Sequence, residues 1–185
     1  MNACKLFWAL RGILYKGRFG KFGNWSYIGK PLILTRTKNI KIGNRVRIYP
    51  GARIEVVNNT GSIRIEENVS IGQNIHITAA DEELMIEKNT TVSANTFITN
   101  IDHSYTEIGV HILKQPLIVK KTHIGENCFI GYGAKIQAGT ILGKQCIVGA
   151  GAVVRGVFPD YCVIVGVPGK IIKRYNPETN IWEKV

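Results

Sequence analysis

The segment ITNIDHSY (98–105) places a carboxylate and an imidazole side by side, Asp102 and His103, in a polar stretch that also holds Asn100 and Tyr105. An imidazole titrates near neutrality, so His103 is equipped to take a proton from a weak nucleophile such as a hydroxyl and to hand it to a leaving group. Asp102, Asn100 or Glu107 stands close enough in sequence to orient its second ring nitrogen, and nothing in the segment chooses among them. Elsewhere, His76, His111 and His123 show no pair at metal-ligand spacing and suit ordinary surface positions, so no metal is expected. Cys128 and Cys146 have no evident base beside them, which argues against a nucleophilic thiol.

These groups sit on a chain of 185 residues, most simply one domain, with 45% hydrophobic but only 9% aromatic residues. Aliphatic side chains must therefore fill the core, and 20 glycines imply many tight corners. No apolar stretch is long enough for a membrane span or a signal peptide, which predicts a cytoplasmic protein. Its four cysteines (Cys4, Cys128, Cys146, Cys162) are then expected to be reduced. A net charge of +11 favours anionic partners. Nucleic acid is disfavoured, because basic and aromatic residues are not interleaved and no recognition motif is present. Phosphorylated small molecules or an acidic membrane surface suit the charge better.

The elements that must position His103 follow from a six-residue period. Ile118, Ile124, Ile130, Ile136, Leu142, Val148 and Val154 are branched aliphatics at steps of six, mostly followed by glycine, with small residues four positions on. A period of six describes a short strand plus a corner; three such units close one triangular coil, and coils stack at the strand spacing of roughly 4.8 Å. Cys128 and Cys146 fall one coil apart and are expected to stack as small core thiols. Upstream the period runs in bursts of three: Ile42, Ile48, Ile54; Ile65, Ile71, Ile77; Ile86, Val92, Ile98. Ile28, Leu34 and Ile40 suggest an earlier coil, with a phase slip before Ile42. The gaps between bursts are 11, 9 and 20 residues, and each follows a third unit. The insertions should all leave the prism at one corner and build a wall along one edge, with His103 on the longest, a protruding loop at 100–117.

The ends differ from the repeat. Residues 1–23 are assigned to an amphipathic helix and linker, the helix carrying Leu6, Phe7, Leu10, Ile13 and Leu14. A cap over the open end of the solenoid is the favoured reading. The alternative is an interfacial helix whose Lys5, Arg11, Lys16, Arg18 and Lys21 face anionic lipid. The β-helix is expected to span 24–165, and the tail 166–185 to include a short basic helix over Lys170–Tyr175.

The run IGENCFIGYGAKIQAGTILGKQCIVGAGAVVRGVFPDYCVIVGVPGKIIKRY resembles the hexapeptide-repeat acyltransferases, and within them the O-acetyltransferases that decorate lipopolysaccharide O-antigen and capsule, as does the tail RYNPETNIWEKV. The resemblance implies an all-β, left-handed parallel β-helix solenoid, a homotrimer, and acetyl-coenzyme A held in a groove between adjacent prisms. It places His103 at the family's catalytic histidine and the backbone N–H of Tyr132, after Ile130-Gly131, at the oxyanion donor. Gly131, Gly149, Ala150, Lys170, Lys173 and Arg174 correspond to positions that take coenzyme A. A sugar or glycan is the implied acceptor, with Asp81, Glu83 and Tyr105 as candidates for its hydroxyls. Alternatives on the same fold are an amino-sugar N-acetyltransferase and a xenobiotic-type acetyltransferase. A non-catalytic assembly module is a third, disfavoured because a structural stack has little use for a long polar insertion.

Overall fold

The computed structural model describes residues 3–185; the side chains of residues 3 and 4, and with them the expected reduced state of Cys4, lie outside the described residues. From Lys21 onward nearly every strand is two to four residues long and the chain turns between them, so that three parallel sheets grow side by side. Successive coils contribute one strand to each sheet. The first coil takes Lys21–Phe22, Tyr27–Ile28 and Ile33–Leu34, so the earliest inward position is Phe22 and the phase slip falls at Ile40–Ile42. Six coils and a partial seventh follow one another, and the expected triplets stack in register: Ile42 on Ile65, Ile48 on Ile71, Ile54 on Ile77.

The two-residue strands mostly point one branched aliphatic inward and the longer ones two, as with Ile54 and Val56 or Ile63 and Ile65; Ile28, Ile48, Ile71, Ile77, Ile130 and Val148 are fully buried. Every such side chain contributes roughly 1.5–3 kcal/mol by leaving water, which makes the aliphatic stacks of the three sheets the main stabilising element. The corners need a left-handed backbone, and Asn68, Asn74, Asn89, Asn95 and Asn127 supply it with φ between 55° and 60°. Asparagine tolerates that conformation because its short side chain bonds locally. The cysteines stack as expected: Cys128, Cys146 and Cys162 are buried on successive coils, and the 3.5 Å between the Cys146 and Cys162 sulfurs is a non-bonded contact, far from a disulfide length.

Insertions interrupt the coils only between the third sheet and the first, at one corner, and each loop grips the next. Asn39 Nδ2 donates to the carbonyls of Asn59 and Gly61 at 2.9 and 2.8 Å. Asn58 Nδ2 and Thr60 Oγ1 donate to Asp81 at 2.6 and 2.8 Å. Asn100, fully buried, donates to Ala80 O and accepts from Ala80 N, both at 2.9 Å.

Three expectations are corrected. Ile118 is not the first unit of the last run: it pairs with Asp102 in an antiparallel hairpin, Ile101–His103 with Leu117–Val119, outside the prism. The coil resumes only at Ile124, 26 residues after Ile98, so the loop is longer than the period suggested. The basic tail is a strand, Lys170–Asn176, pairing antiparallel with Cys162–Val165 and returning through Ile181–Lys184. Its β-branched and aromatic residues (Ile171, Ile172, Tyr175, Ile181, Trp182) favour extended backbone, and the pairing covers a sheet edge that would otherwise stay open. Finally, the helix Ala3–Tyr15 meets the first coil through Trp8, Gly12 and Tyr15, with the Trp8 ring 5.8 Å from Tyr27 and 5.5 Å from Tyr49. The stripe expected to face the core lies on its outer side.

Ile77→Ala, in the middle of the aliphatic column, is expected to cost about 2–5 kcal/mol, read as a lowered urea midpoint with an unchanged m-value.

Candidate active site

The hairpin that carries His103 is held in one form by two devices. At its base, Thr122 Oγ1 donates to Thr99 O at 2.9 Å and Lys120 N to Asn100 O at 2.9 Å. Within it, the buried Gln115 amide donates to the carbonyls of Glu107 and Val110 at 3.1 and 3.0 Å and accepts from Glu107 N at 3.2 Å. A long polar loop thus keeps its shape without a core of its own.

Strand alternation sends neighbours to opposite faces. Asp102 points towards Arg155, whose Nη2 lies 2.9 and 2.7 Å from its two carboxylate oxygens. Ile101 and His103 face the other way, into a cleft of about 340 Å³ between the hairpin and the outer surface of the third sheet. The two adjacent residues therefore have separate jobs. Asp102 clips the hairpin to the prism through Arg155, which is itself bonded to Gln137 at 3.2 Å. The pair is half exposed and worth little in stability; its effect is orientation. Asn100 pins the neighbouring corner and is likewise turned away from the cleft.

The floor of the cleft is an outward ladder of Arg53, His76 and Phe97, each one residue before an inward isoleucine and in register from coil to coil. Glu55 and Thr78 form the next row. His76 Nε2 is 3.2 Å from Glu55 Oε2 and 2.8 Å from Thr78 Oγ1, and its ring lies 5.0 Å from that of Phe97. Arg53 Nε is bonded to the same Glu55 oxygen. Burial, then the Arg53 charge, pushes the His76 imidazole below its ordinary value despite the pull of Glu55. Burial acts to raise the Glu55 carboxyl, but the bonds and charges of Arg53 and His76 outweigh it and hold the group low. The result is a fixed set of acceptors and donors beside an aromatic face, opposite the His103 ring.

The other candidates lie elsewhere. Tyr105 is three-quarters exposed on the hairpin, Asp81 is engaged by Asn58 and Thr60, and Glu83 pairs with Arg64 at 3.1 Å on the first sheet. Tyr132 occupies the corner between the second and third sheets, its hydroxyl bonded to Asn95. Its carbonyl accepts from Gly151 N at 2.8 Å, while its own N–H meets no backbone carbonyl among the described residues. Gly131, Gly149 and Ala150 share that edge. In the tail strand, Lys170 pairs with Val165 and Lys173 with Val163, whereas Arg174 pairs with the buried Cys162 and starts from the opposite face. His103 and Tyr132 thus stand at different corners of one prism. Among the described residues no group of three or more His, Cys, Asp or Glu is arranged to hold a metal ion, and no helix is long and apolar enough to cross a membrane.

Sequence reasoning does not single out Arg53, Glu55, His76, Gln115 or Arg155 as site residues. A signal for the ladder is nonetheless present: outward residues one place before inward ones share a row, and the longest insertion leaves beside that row.

Comparison with known proteins bears on this arrangement. Residues 121–156 match the family model described as bacterial transferase hexapeptide (six repeats), which indicates a left-handed sense for the β-helix. WbbJ of Escherichia coli (strain K12), assigned to O-acetyl transfer in lipopolysaccharide biosynthesis, is 30% identical over 174 residues, 88% of this chain and 86% of its own. Among solved structures, a point mutant of AntD, an N-acyltransferase from Bacillus cereus, in complex with dTDP-4-amino-4,6-dideoxyglucose and coenzyme A, has a TM-score of 0.77 at 19% identity, covering 91% of this chain and 90% of that one. The hexapeptide-repeat acetyltransferase VCA0836 of Vibrio cholerae O1 biovar eltor, complexed with acetyl-coenzyme A, has a TM-score of 0.59 at 20% identity, covering 91% and 78%.

An NMR titration of His76 is expected to give a midpoint below the ordinary 6.5. The unfolded chain then binds this proton more readily than the folded one, so His76 makes stability rise with pH between the folded and unfolded midpoints. Arg53→Gln should move the midpoint upward; a wild-type midpoint at or above 6.5 contradicts the assignment.

Proposed function

We propose that this chain, which belongs to the hexapeptide-repeat acyltransferase family, transfers an acetyl group from acetyl-coenzyme A to a sugar hydroxyl in the cytoplasmic assembly of a bacterial surface polysaccharide such as O-antigen or capsule. One observation carries the reading: an imidazole on an ordered hairpin faces a cleft that offers carboxylate, guanidinium, hydroxyl and aromatic groups, the set that orients a polyhydroxylated ring. Transfer to oxygen is supported by WbbJ, matched over most of both chains and assigned to O-acetyl transfer.

In this reading His103 acts as general base. The acceptor hydroxyl oxygen attacks the thioester carbonyl carbon while the ring nitrogen takes the hydroxyl proton. The tetrahedral oxyanion is met by the backbone N–H of Tyr132. Collapse breaks the carbon–sulfur bond, and the proton on His103 passes to the departing thiolate, giving an acetyl ester and coenzyme A with no acyl-enzyme. Arg53, Glu55, His76 and Thr78 position the acceptor, while Lys170 and Lys173, on one face of the tail strand, supply charge for the phosphates of the donor. Because His103 and Tyr132 occupy different corners of one chain, a complete site draws them from adjacent protomers. A homotrimer is also supported by the hairpin tip, where Tyr105, Ile108 and Leu113 are largely exposed with no apolar cover within one chain.

His103→Ala is expected to keep the fold and coenzyme A binding but to lower turnover by about 10²–10⁴, followed as free-thiol release with sugar acceptors. The acetylated product should be cleaved by hydroxylamine, as an ester is; a resistant product identifies an amide and moves the assignment to N-acylation. Near-normal turnover of the alanine variant removes His103 from the chemistry.

A further inference from the structure

The first coil and its helix carry a surface that the proposed reaction does not use. Leu6, Phe7, Leu10, Ile13 and Leu14 are between 49% and 77% exposed, and at 3.6 residues per turn they fall within an arc of about 120° on the outer side of the helix. Trp25 stands across a groove from Ile13 and Lys16 and is 89% exposed. Its backbone φ is 59°, at a corner that later coils fill with Arg45, Asn68, Asn89, Asn127, Gln145 and Tyr161. The corner accepts side chains of several kinds, and at this end of the stack it presents a large apolar ring to solvent, far more open than the 39%-exposed Tyr161 at the same corner of the last coil.

Charge is distributed along the axis in the same sense. Residues 1–54 contain 12 lysines and arginines and no aspartate or glutamate, whereas residues 55–185 contain 12 basic and all 13 acidic residues. Residues 1–54, at the end that bears the helix, therefore carry +12, and the rest of the chain a net charge of −1. Lys5 and Lys16 border the apolar arc on one side and Arg11 on the other, with Arg18 and Lys21 just beyond the helix.

We infer that this end of the protein docks on an anionic lipid bilayer, with the outer face of the helix and Trp25 entering the headgroup–acyl boundary and the surrounding lysines and arginines neutralising lipid phosphates. An apolar arc edged by basic residues is the pattern of a helix that lies in a membrane surface, and tryptophan favours that boundary because one edge of its ring is polar. A polybasic surface adds attraction that salt weakens. A second copy is a poorer occupant, since a symmetric contact would bring together two ends that carry no carboxylate before Glu55.

The test sediments the full-length protein with vesicles of phosphatidylcholine alone or of a mixture rich in phosphatidylglycerol. Binding to the anionic vesicles should be tighter by about ten-fold or more, and it should weaken as salt is raised. Phe7→Ser with Leu10→Ser, and separately Lys16→Gln with Lys21→Gln, should each lower it by about ten-fold while leaving the oligomeric state unchanged. All four side chains lie outside the core, so the variants are expected to fold. Absence of vesicle binding, equal binding to both lipid mixtures, or a change of oligomeric state in Phe7→Ser/Leu10→Ser, which would mark the face as a contact between copies, overturns the inference.

Discussion

The coils of this protein lie directly on one another, and that contact governs everything else. A side chain at Gly125 would place its Cβ 2.5 Å from the Gly143 carbonyl oxygen, and one at Gly131 would meet Ala150 N at 2.6 Å. Backbone-to-backbone stacking at strand spacing leaves room for stacked aliphatics on a narrow axis and none for a pocket between coils. The outer faces are nearly flat ladders. A concave site therefore requires chain that departs from the repeat, which is why the cleft that His103 lines lies beside the longest insertion, with one wall of loop and one wall of sheet.

Stacking also gives the site its accuracy. Arg53, His76 and Phe97 face the hairpin because the isoleucines beside them are locked into successive coils. The Asp102–Arg155 pair reaches from the hairpin to a coil two levels further on, so the orientation of the strand bearing His103 depends on the rigidity of the prism beneath it. The wall of bonded insertions, from Asn39 through Asn58 and Asp81 to Asn100, is fixed in the same way.

The inward column is legible in the sequence because burial on a narrow axis permits few residue types, so the period shows directly. The common corner of the insertions follows from counting. Ile118 is misplaced by the period because an aliphatic at the right step carries the same signal inside a coil and in a hairpin beside it; only pairing with Asp102 tells them apart. The tail strand reads as a helix when its charges are weighed ahead of the β-branched Ile171 and Ile172. Asp102 and His103, adjacent in sequence, are natural partners for a dyad, yet an extended backbone turns such neighbours apart. His76 is a lone histidine in the linear chain, and it gains its meaning from Glu55 and Arg53 on the preceding coil, a relation visible only after outward rows are aligned.

The central claim is that His103 of one protomer serves a thioester bound against the Tyr132 corner of its neighbour. Mixed oligomers test it most directly, assembled from His103→Ala chains and Tyr132→Pro chains, the second lacking the backbone N–H proposed to meet the oxyanion. Each variant alone should be folded and nearly inactive, and acetyl transfer should return when the two are reassembled together, because some interfaces then pair an intact imidazole with an intact donor. Mixed oligomers that form and stay as inactive as their parents would contradict a site shared between chains.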